Sequence, residues 1–267
     1  MKIGFIGLGN MATAMIGGML ARKKVGPEDI LGSSKTEATA ARVRETLKIN
    51  AKTDNPAVAR ESDILFLATK PIMFPEVTRQ IRNEVKKGAY VVSIAAGLDL
   101  DYLKNAFSRP DLKFVRCMPN TPALVLEGCT AVCAGEGVSD EELARIMGLL
   151  ESFGKVSVVP ERLMDVVVGV SGSSPAYVFM FIEALADAAV AGGMPRQQAY
   201  EFVAQSVMGS AKLMLETGLH PGQLKDMVCS PGGTTIQAVK VLEERGMRGA
   251  LMAAVDVCVE KSRSMSC

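Results

Sequence analysis

The stretch Lys2-Ile3-Gly4-Phe5-Ile6-Gly7-Leu8-Gly9-Asn10-Met11-Ala12 decides how the first half of the chain folds. Ile3, Phe5 and Ile6 make a short apolar run of the kind found in a strand covered on both faces. A glycine turn follows and opens a helix expected from about Ala12 to Ala21. Gly7 permits a tight turn, Gly9 lets the backbone approach a ligand, and Ala12 lets the helix pack close to the strand. The N–H groups at the helix start then face an anion, as they face the pyrophosphate in dinucleotide sites. The spacing by itself also suits a turn that binds nothing; its place directly after a first strand gives it weight.

Working outward, six more strands are expected: Asp29–Gly32, Asp63–Ala68, Tyr90–Ala95, Lys113–Met118, Cys129–Ala134 and Val156–Val159. Helical stretches separate them. This alternation implies an α/β fold, a Rossmann-type doubly wound sheet with right-handed crossovers, over residues 1–160. Beyond Pro160 the strand signals stop, so residues 161–267 are expected to form an all-helical domain. Its helices are read as Arg162–Gly169, Pro175–Ala191, Arg196–Glu216, Gly222–Cys229, Thr235–Glu244 and Met247–Ser262. Ser173 or Ser174 reads as an N-cap, with Pro175 at the first helical position.

The segment Pro175–Met194 is nearly long enough to span a bilayer, but Glu183 and Asp187 interrupt it. Each charge at that depth costs about 2.5–3.5 kcal/mol on insertion scales. A soluble helix apolar around most of its circumference is the better reading, and it must be covered on several sides. So small a domain can hardly wrap it alone, and homodimerisation through the C-terminal half is expected.

Composition narrows the function classes. With 267 residues, 48% hydrophobic and 22% charged, the chain is neither disordered nor fibrous. Lys plus Arg (30) nearly balance Asp plus Glu (29), which gives no support for nucleic-acid or anionic-membrane partners. Six cysteines show no CxxC spacing, and no secretion signal is read at the N-terminus; reduced thiols of a cytoplasmic protein are expected. One histidine, His220, is too little for a His-based metal site or a Ser-His relay, and it reads as a turn residue.

The end of the second strand, Gly32-Ser33-Ser34-Lys35, bears on the coenzyme. An NAD enzyme usually places Asp or Glu there to bind the ribose 2′-OH. Here two hydroxyls and an ammonium face the position, so NADP(H) is favoured; a merely solvated Lys35 fits the same residues. Ala68-Thr69-Lys70-Pro71 and Ile94-Ala95-Ala96-Gly97 close two further strands, where ligands of open α/β sheets lie. Ordinary strand-to-loop transitions would look alike. In Cys117-Met118-Pro119-Asn120-Thr121-Pro122 two prolines stiffen the loop, and Asn120 offers a donor and an acceptor near the expected nicotinamide. A merely rigid loop is the alternative.

Ser230-Pro231-Gly232-Gly233-Thr234-Thr235 is more unusual. It sets glycines beside hydroxyls at a helix start, where consecutive N–H groups and the helix dipole form an anion receptor sized for one carboxylate. A turn with a plain helix cap is the competing reading.

Taken together, these motifs closely resemble the pyrroline-5-carboxylate reductase family along the whole length. The resemblance rests on Gly4–Met11, Lys70-Pro71, Ser93–Gly97, Met118–Pro122, Ser171–Tyr177, His220–Asp226 and, most specifically, Ser230–Thr235. It implies NAD(P)H-dependent reduction of L-1-pyrroline-5-carboxylate to L-proline, the final step of proline synthesis, while the Gly32–Lys35 residues make NADPH the expected coenzyme and NADH the weaker alternative. It also implies a helical domain that intertwines in a dimer, with dimers often assembled into a decamer. By carry-over, the coenzyme contacts are Gly7, Leu8, Gly9, Asn10, Met11, Ala12, Ser33, Ser34, Lys35, Asn55, Ala68, Thr69, Lys70, Pro71, Ala95, Ala96 and Met118. The substrate contacts are Ser230, Gly232, Gly233, Thr234, Thr235, Asn120 and Glu161.

The implied chemistry needs little acid–base help. A cyclic imine can arrive protonated, and hydride then adds to its C=N carbon. Thr235 is the residue expected to hydrogen-bond the nitrogen, while the Gly232–Thr234 amides hold the carboxylate. Two other readings share the layout: a β-hydroxy-acid or other imine reductase, and a non-enzymatic NADPH-sensing dimer. The first generally needs a Lys or similar acid between Pro175 and Met194, where none occurs. The second leaves the Ser230–Thr235 receptor without a task.

Overall fold

The computed structural model describes residues 1–265. Eight strands form one sheet: β1 (Ile3–Ile6), β2 (Ile30–Ser33), β3 (Asn50–Lys52), β4 (Ile64–Leu67), β5 (Tyr90–Ser93), β6 (Lys113–Met118), β7 (Gly128–Ala134) and β8 (Gly154–Val158). Their order is β3-β2-β1-β4-β5-β6-β7-β8. β1 lies in parallel register between β2 and β4, pairing Ile6 with Ser33 on one side and Leu67 on the other. The three strand ends that carry Gly7, Ser34 and Ala68 are therefore neighbours. Order reverses beside β1, and in such sheets the crevice at that switch point takes the ligand.

Two features lie outside the sequence reading. β7 runs antiparallel to β6, and β8 follows β7 in parallel, so the sheet is mixed. β3 was not expected; it is a three-residue edge strand with no apolar run to announce it.

Helices α1 (Asn10–Ala21), α2 (Glu37–Leu47), α3 (Asn55–Glu61), α4 (Phe74–Ile81), α5 (Leu100–Phe107) and α6 (Asp140–Leu150) cover the sheet. One core cluster includes Ile3, Phe5, Phe66, Met15, Ile16 and Leu150; the other includes Ile6, Leu65, Leu67, Val91, Phe74 and Phe107. Residues alternate between the two along β1 and β4, as a strand's period of two requires. Phe5 and Phe66 stack at 4.7 Å between ring centroids.

Close helix packing at α1 depends on one glycine. A Cβ on Gly18 would lie 2.6 Å from Phe153 Cβ and 3.2 Å from Ser152 O, whereas one on Gly17 would meet nothing within 4 Å. Gly18→Ala is expected to cost about 1–3 kcal/mol of stability despite alanine's better helix propensity, because backbone must move. Gly17→Ala should be neutral or stabilising. Urea unfolding of both variants checks the pair, and equal midpoints would contradict the packing.

The remaining helices are α7 (Met164–Val167), α8 (Ser174–Ala191), α9 (Arg196–Thr217), α10 (Pro221–Val228), α11 (Thr234–Glu244) and α12 (Met247–Ser264). A π turn over Val168–Gly172 joins α7 to α8. α8 starts at Ser174, where the sequence reading put a helix start, but the π turn leads directly into it and the Ser173 hydroxyl faces Cys258 Sγ at 3.1 Å. Pro175 brings no N–H to the carbonyl of Ser171, four residues back. Asn120 Nδ2 donates to that carbonyl instead, at 3.0 Å, and the wider turn makes room for the ring.

Contacts divide the chain into two compact units. One comprises Met1–Ser173 together with the residues from Cys258 onward; the other is Ser174–Val257. In the first, the end of α12 is fastened by Ser262, whose hydroxyl donates to Asp165 Oδ1 at 2.6 Å. In the second, α8 packs on α9, yet only Ala186 and Ala199 are buried. Phe179, Met180, Phe202, Leu215, Met252 and Val257 are each more than 60% exposed. A unit with so little core is not stable by itself in water. The run Glu161–Ala191 is also long and apolar enough, by length and composition alone, to cross a membrane.

Candidate active site

The coenzyme end is built on the start of α1. The helix begins at Asn10, two residues earlier than expected, with Gly9 as N-cap. No side chain caps it, and its first turn carries no acidic residue. The first N–H groups are therefore left for an external acceptor. A Cβ on Gly9 would meet nothing within 4 Å, so that face is open. At Gly7, by contrast, φ is +95° and a Cβ would stand 2.6 Å from the Ala68 carbonyl oxygen. Gly7 serves the turn and Gly9 the approach.

Gly7, Ser34, Lys35, Asn55 and Thr69 line one cavity of about 240 Å³. Thr69 Oγ1 is buried there without a hydrogen-bond partner, an orphan that a polar ligand would satisfy. These residues fit an NADP-type coenzyme. The Leu8 side chain is buried against Gly32, which leaves only its backbone for any ligand. Asn10 and Lys70 are exposed, Met11, Ala68, Pro71 and Ala96 are half-buried, and Ala12 and Ala95 are buried.

The hydroxyls of the second strand end are not free as the sequence suggested. Ser33 is fully buried and donates to Asn55 Oδ1 at 2.7 Å. Ser34 donates to the Thr36 carbonyl at 2.9 Å. Lys35 is exposed and keeps its charge for a ligand. Partners far along the chain engage Ser33, so no local pattern could have revealed it.

Asn120 is 8% exposed and both ends of its amide are engaged: Nδ2 with Ser171 O, and Oδ1 with the Cys129 N–H at 2.8 Å. It braces the π turn against β7. Met118 is likewise buried, among Ala131, Cys133 and Met164. Glu161 Oε1 accepts from the Leu100 N–H at 2.7 Å and lies 3.4 Å from Arg116 Nη1. Burial, and then the Glu161 charge, push the Cys133 thiol up to about 11, so it is no nucleophile at neutral pH.

Three residues were missed. Arg116 is 2% exposed on β6, and its Nε and Nη2 have no hydrogen-bond partner. A lone arginine within the apolar run Phe114–Met118 was the available signal. Glu76 and Gln80 of α4 also line the cavity that holds Gly7, Lys35 and Thr69, and nothing local in the sequence marks them.

In the second unit, Gly233 is the N-cap of α11, again with no capping side chain and no acidic first-turn residue. Gly232 sits at φ +69°. A Cβ on Gly233 would come within 2.6 Å of Ser230 Oγ. Ser230, Gly232 and Thr234 are exposed, and Gly233 and Thr235 are half-buried. His220 caps α10, accepting the Gly222 N–H on Nδ1 at 3.1 Å, as a turn residue does.

Both units match known proteins. Residues 161–265 match the family description "Pyrroline-5-carboxylate reductase dimerisation", and residues 2–97 match "NADP oxidoreductase coenzyme F420-dependent". The pyrroline-5-carboxylate reductase of Escherichia coli (strain K12) is 52% identical over 99% of this chain and 98% of its own length. That of Methanosarcina acetivorans is 44% identical over 99% of this chain and 97% of its own. A crystal structure of Plasmodium falciparum pyrroline carboxylate reductase with NADP bound superposes with a TM-score of 0.90, at 31% identity, over 100% of this chain and 98% of the other. The chain belongs to the pyrroline-5-carboxylate reductase family.

Proposed function

We propose that this protein reduces L-1-pyrroline-5-carboxylate to L-proline with NADPH, NADH being the weaker coenzyme, in the last step of proline biosynthesis. One observation carries the reading beyond family membership. The starts of α1 and α11 each have a glycine N-cap, no capping side chain and no first-turn carboxylate. Such starts attract anions, and the reaction brings two: a dinucleotide pyrophosphate and a substrate carboxylate.

The chain's own groups divide the work. The α1 amides and Thr69 bind the coenzyme, whose reduced nicotinamide supplies the hydride. The Gly232–Thr234 amides hold the carboxylate, and the iminium N–H of the substrate donates to the Thr235 hydroxyl oxygen. Orientation to near-attack distance, about 3–3.5 Å for reacting atoms, is the main catalytic contribution. Because the imine arrives protonated, no protein acid is needed. Glu161 and Asn120 act on the scaffold around the substrate.

The exposed apolar face of Ser174–Val257 is covered in a homo-oligomer, as the dimerisation family match supports. We place the protein in the cytoplasm as a homodimer that assembles into a decamer, without membrane or nucleic-acid partners. Five free cysteines among the described residues suit that compartment.

The test is NADPH oxidation with pyrroline-5-carboxylate, against an open-chain imine, and, in the opposite direction, NADP+ reduction with a 3-hydroxy acid. Turnover with the cyclic imine alone is expected. Preference for the open-chain imine would favour another imine reductase, and turnover of the 3-hydroxy acid the β-hydroxy-acid class, although α8 carries no lysine to serve either. Coenzyme choice is tested by Ser34→Asp, which puts a carboxylate beside Lys35. Repulsion should weaken NADPH at least tenfold and NADH far less; equal effects would remove this loop from 2′-phosphate recognition.

A further inference from the structure

The coenzyme cavity holds a carboxylate that lies far from the usual acidic position in sequence. Glu76 and Gln80 belong to its wall, and a chain of hydrogen bonds ties them to β2. Gln80 Nε2 donates to Glu76 Oε1 at 3.4 Å. Asn55 Nδ2 donates to Gln80 Oε1 at 2.8 Å, and Ser33 Oγ to Asn55 Oδ1 at 2.7 Å.

The direction of this chain follows from its charged end. A carboxylate accepts and does not donate, so Gln80 turns its NH2 to Glu76 and its oxygen to Asn55. Asn55 must then turn its NH2 to Gln80 and its oxygen to Ser33, whose hydroxyl is left to donate. A single charge orients two amides and a buried hydroxyl.

What the wall offers a ligand follows. Asn55 keeps one N–H beyond that given to Gln80, and Glu76 keeps unused lone pairs. A donor beside a fixed acceptor suits a hydroxyl, which does both. It does not suit a phosphate monoester, which is largely without protons at neutral pH and is repelled by Glu76. Lys35, on the same cavity, has the opposite preference.

We infer that Glu76, held through Gln80, is a specificity-determining residue that reads a free ribose hydroxyl of the coenzyme and offsets the pull of Lys35 toward a 2′-phosphate. This rests on the coenzyme reading of the cavity. Discrimination between the two coenzymes is then the balance of two side chains, one after β2 and one on α4.

Calorimetric Kd values for NADPH and NADH, measured on the full-length protein, test it. Glu76, Gln80 and Lys35 are all exposed, so substitution should leave the fold intact, and a thermal melt checks this. Glu76→Gln should raise the ratio of the NADH Kd to the NADPH Kd at least fivefold. Gln80→Met keeps the charge but breaks the relay; it should weaken NADH at least threefold and NADPH less than twofold. Lys35→Met should weaken NADPH selectively. An unchanged ratio in Glu76→Gln, with Lys35→Met still weakening NADPH, overturns the inference while the coenzyme cavity stands. A ratio moved by Glu76→Gln but not by Gln80→Met overturns the relay. If none of the three alters either Kd, the cavity is not the coenzyme site and the inference falls with it.

Discussion

Gly9→Asp should abolish coenzyme binding without harming the fold. Gly9 is the N-cap of α1 with φ −78° and ψ −174°, an extended conformation open to any residue. A Cβ there touches nothing within 4 Å. Aspartate is among the preferred N-cap residues, and its charge suits the helix dipole, so stability should hold or rise by a few tenths of a kcal/mol. The same carboxylate occupies the helix start as an internal anion and repels a pyrophosphate. A loss of at least 100-fold in NADPH affinity is expected, about 2.7 kcal/mol. Calorimetry and a thermal melt on one preparation separate the two effects. An NADPH Kd within threefold of the unsubstituted protein would show that the turn is only structural.

Thr235→Ala comes next in expected size. Thr235 is the second residue of α11, so its backbone helps form the uncapped helix start while its hydroxyl projects separately. Alanine keeps the amide and removes the hydroxyl together with the γ-methyl, and Thr235→Ser separates the two by removing the methyl alone. Carboxylate capture should persist and alignment of the imine nitrogen should suffer. The expected result is a fall of more than tenfold in kcat/KM for pyrroline-5-carboxylate, at least about 1.4 kcal/mol of transition-state stabilisation. The NADPH Kd should be unchanged, and Thr235→Ser should restore most of the rate. Unaltered steady-state kinetics would remove Thr235 from the mechanism.

Both predictions start from glycine turns visible in the sequence, and the structure shows why such features are legible. β1, β4 and β5 announce themselves because helices cover both faces, leaving no polar alternation. Gly9 and Gly233 stand at helix starts where local chain geometry sets the chemistry. What stayed hidden depends on partners distant in sequence. The reversed direction of β7 leaves no trace in residue pattern, since the alternation of side chains is the same either way. Ser173-Ser174-Pro175 marks the start of α8 correctly but gives no sign of the π turn that leads into it, which Asn120, 51 residues before Ser171, supports. Ser33 looked available as a donor until Asn55, 22 residues on, proved to hold its proton. The Glu76 carboxylate reaches the cavity lined by Gly7 and Lys35 from α4, well past the β2 end where sequence reading looks for acidic residues.

The uncovered apolar face of the helical unit has a consequence for all of these measurements. Phe179, Met180 and Phe202 need a second copy, so affinities and melts should be taken at protein concentrations that keep the oligomer intact.

The most direct measurement is a crystal structure of the protein with NADP and L-proline together. The account predicts the proline carboxylate on the Gly232–Thr234 amides, its ring nitrogen on the Thr235 hydroxyl, and the pyrophosphate on the first turn of α1. Proline bound away from Ser230–Thr235 in every copy, with density for NADP in place, would contradict it.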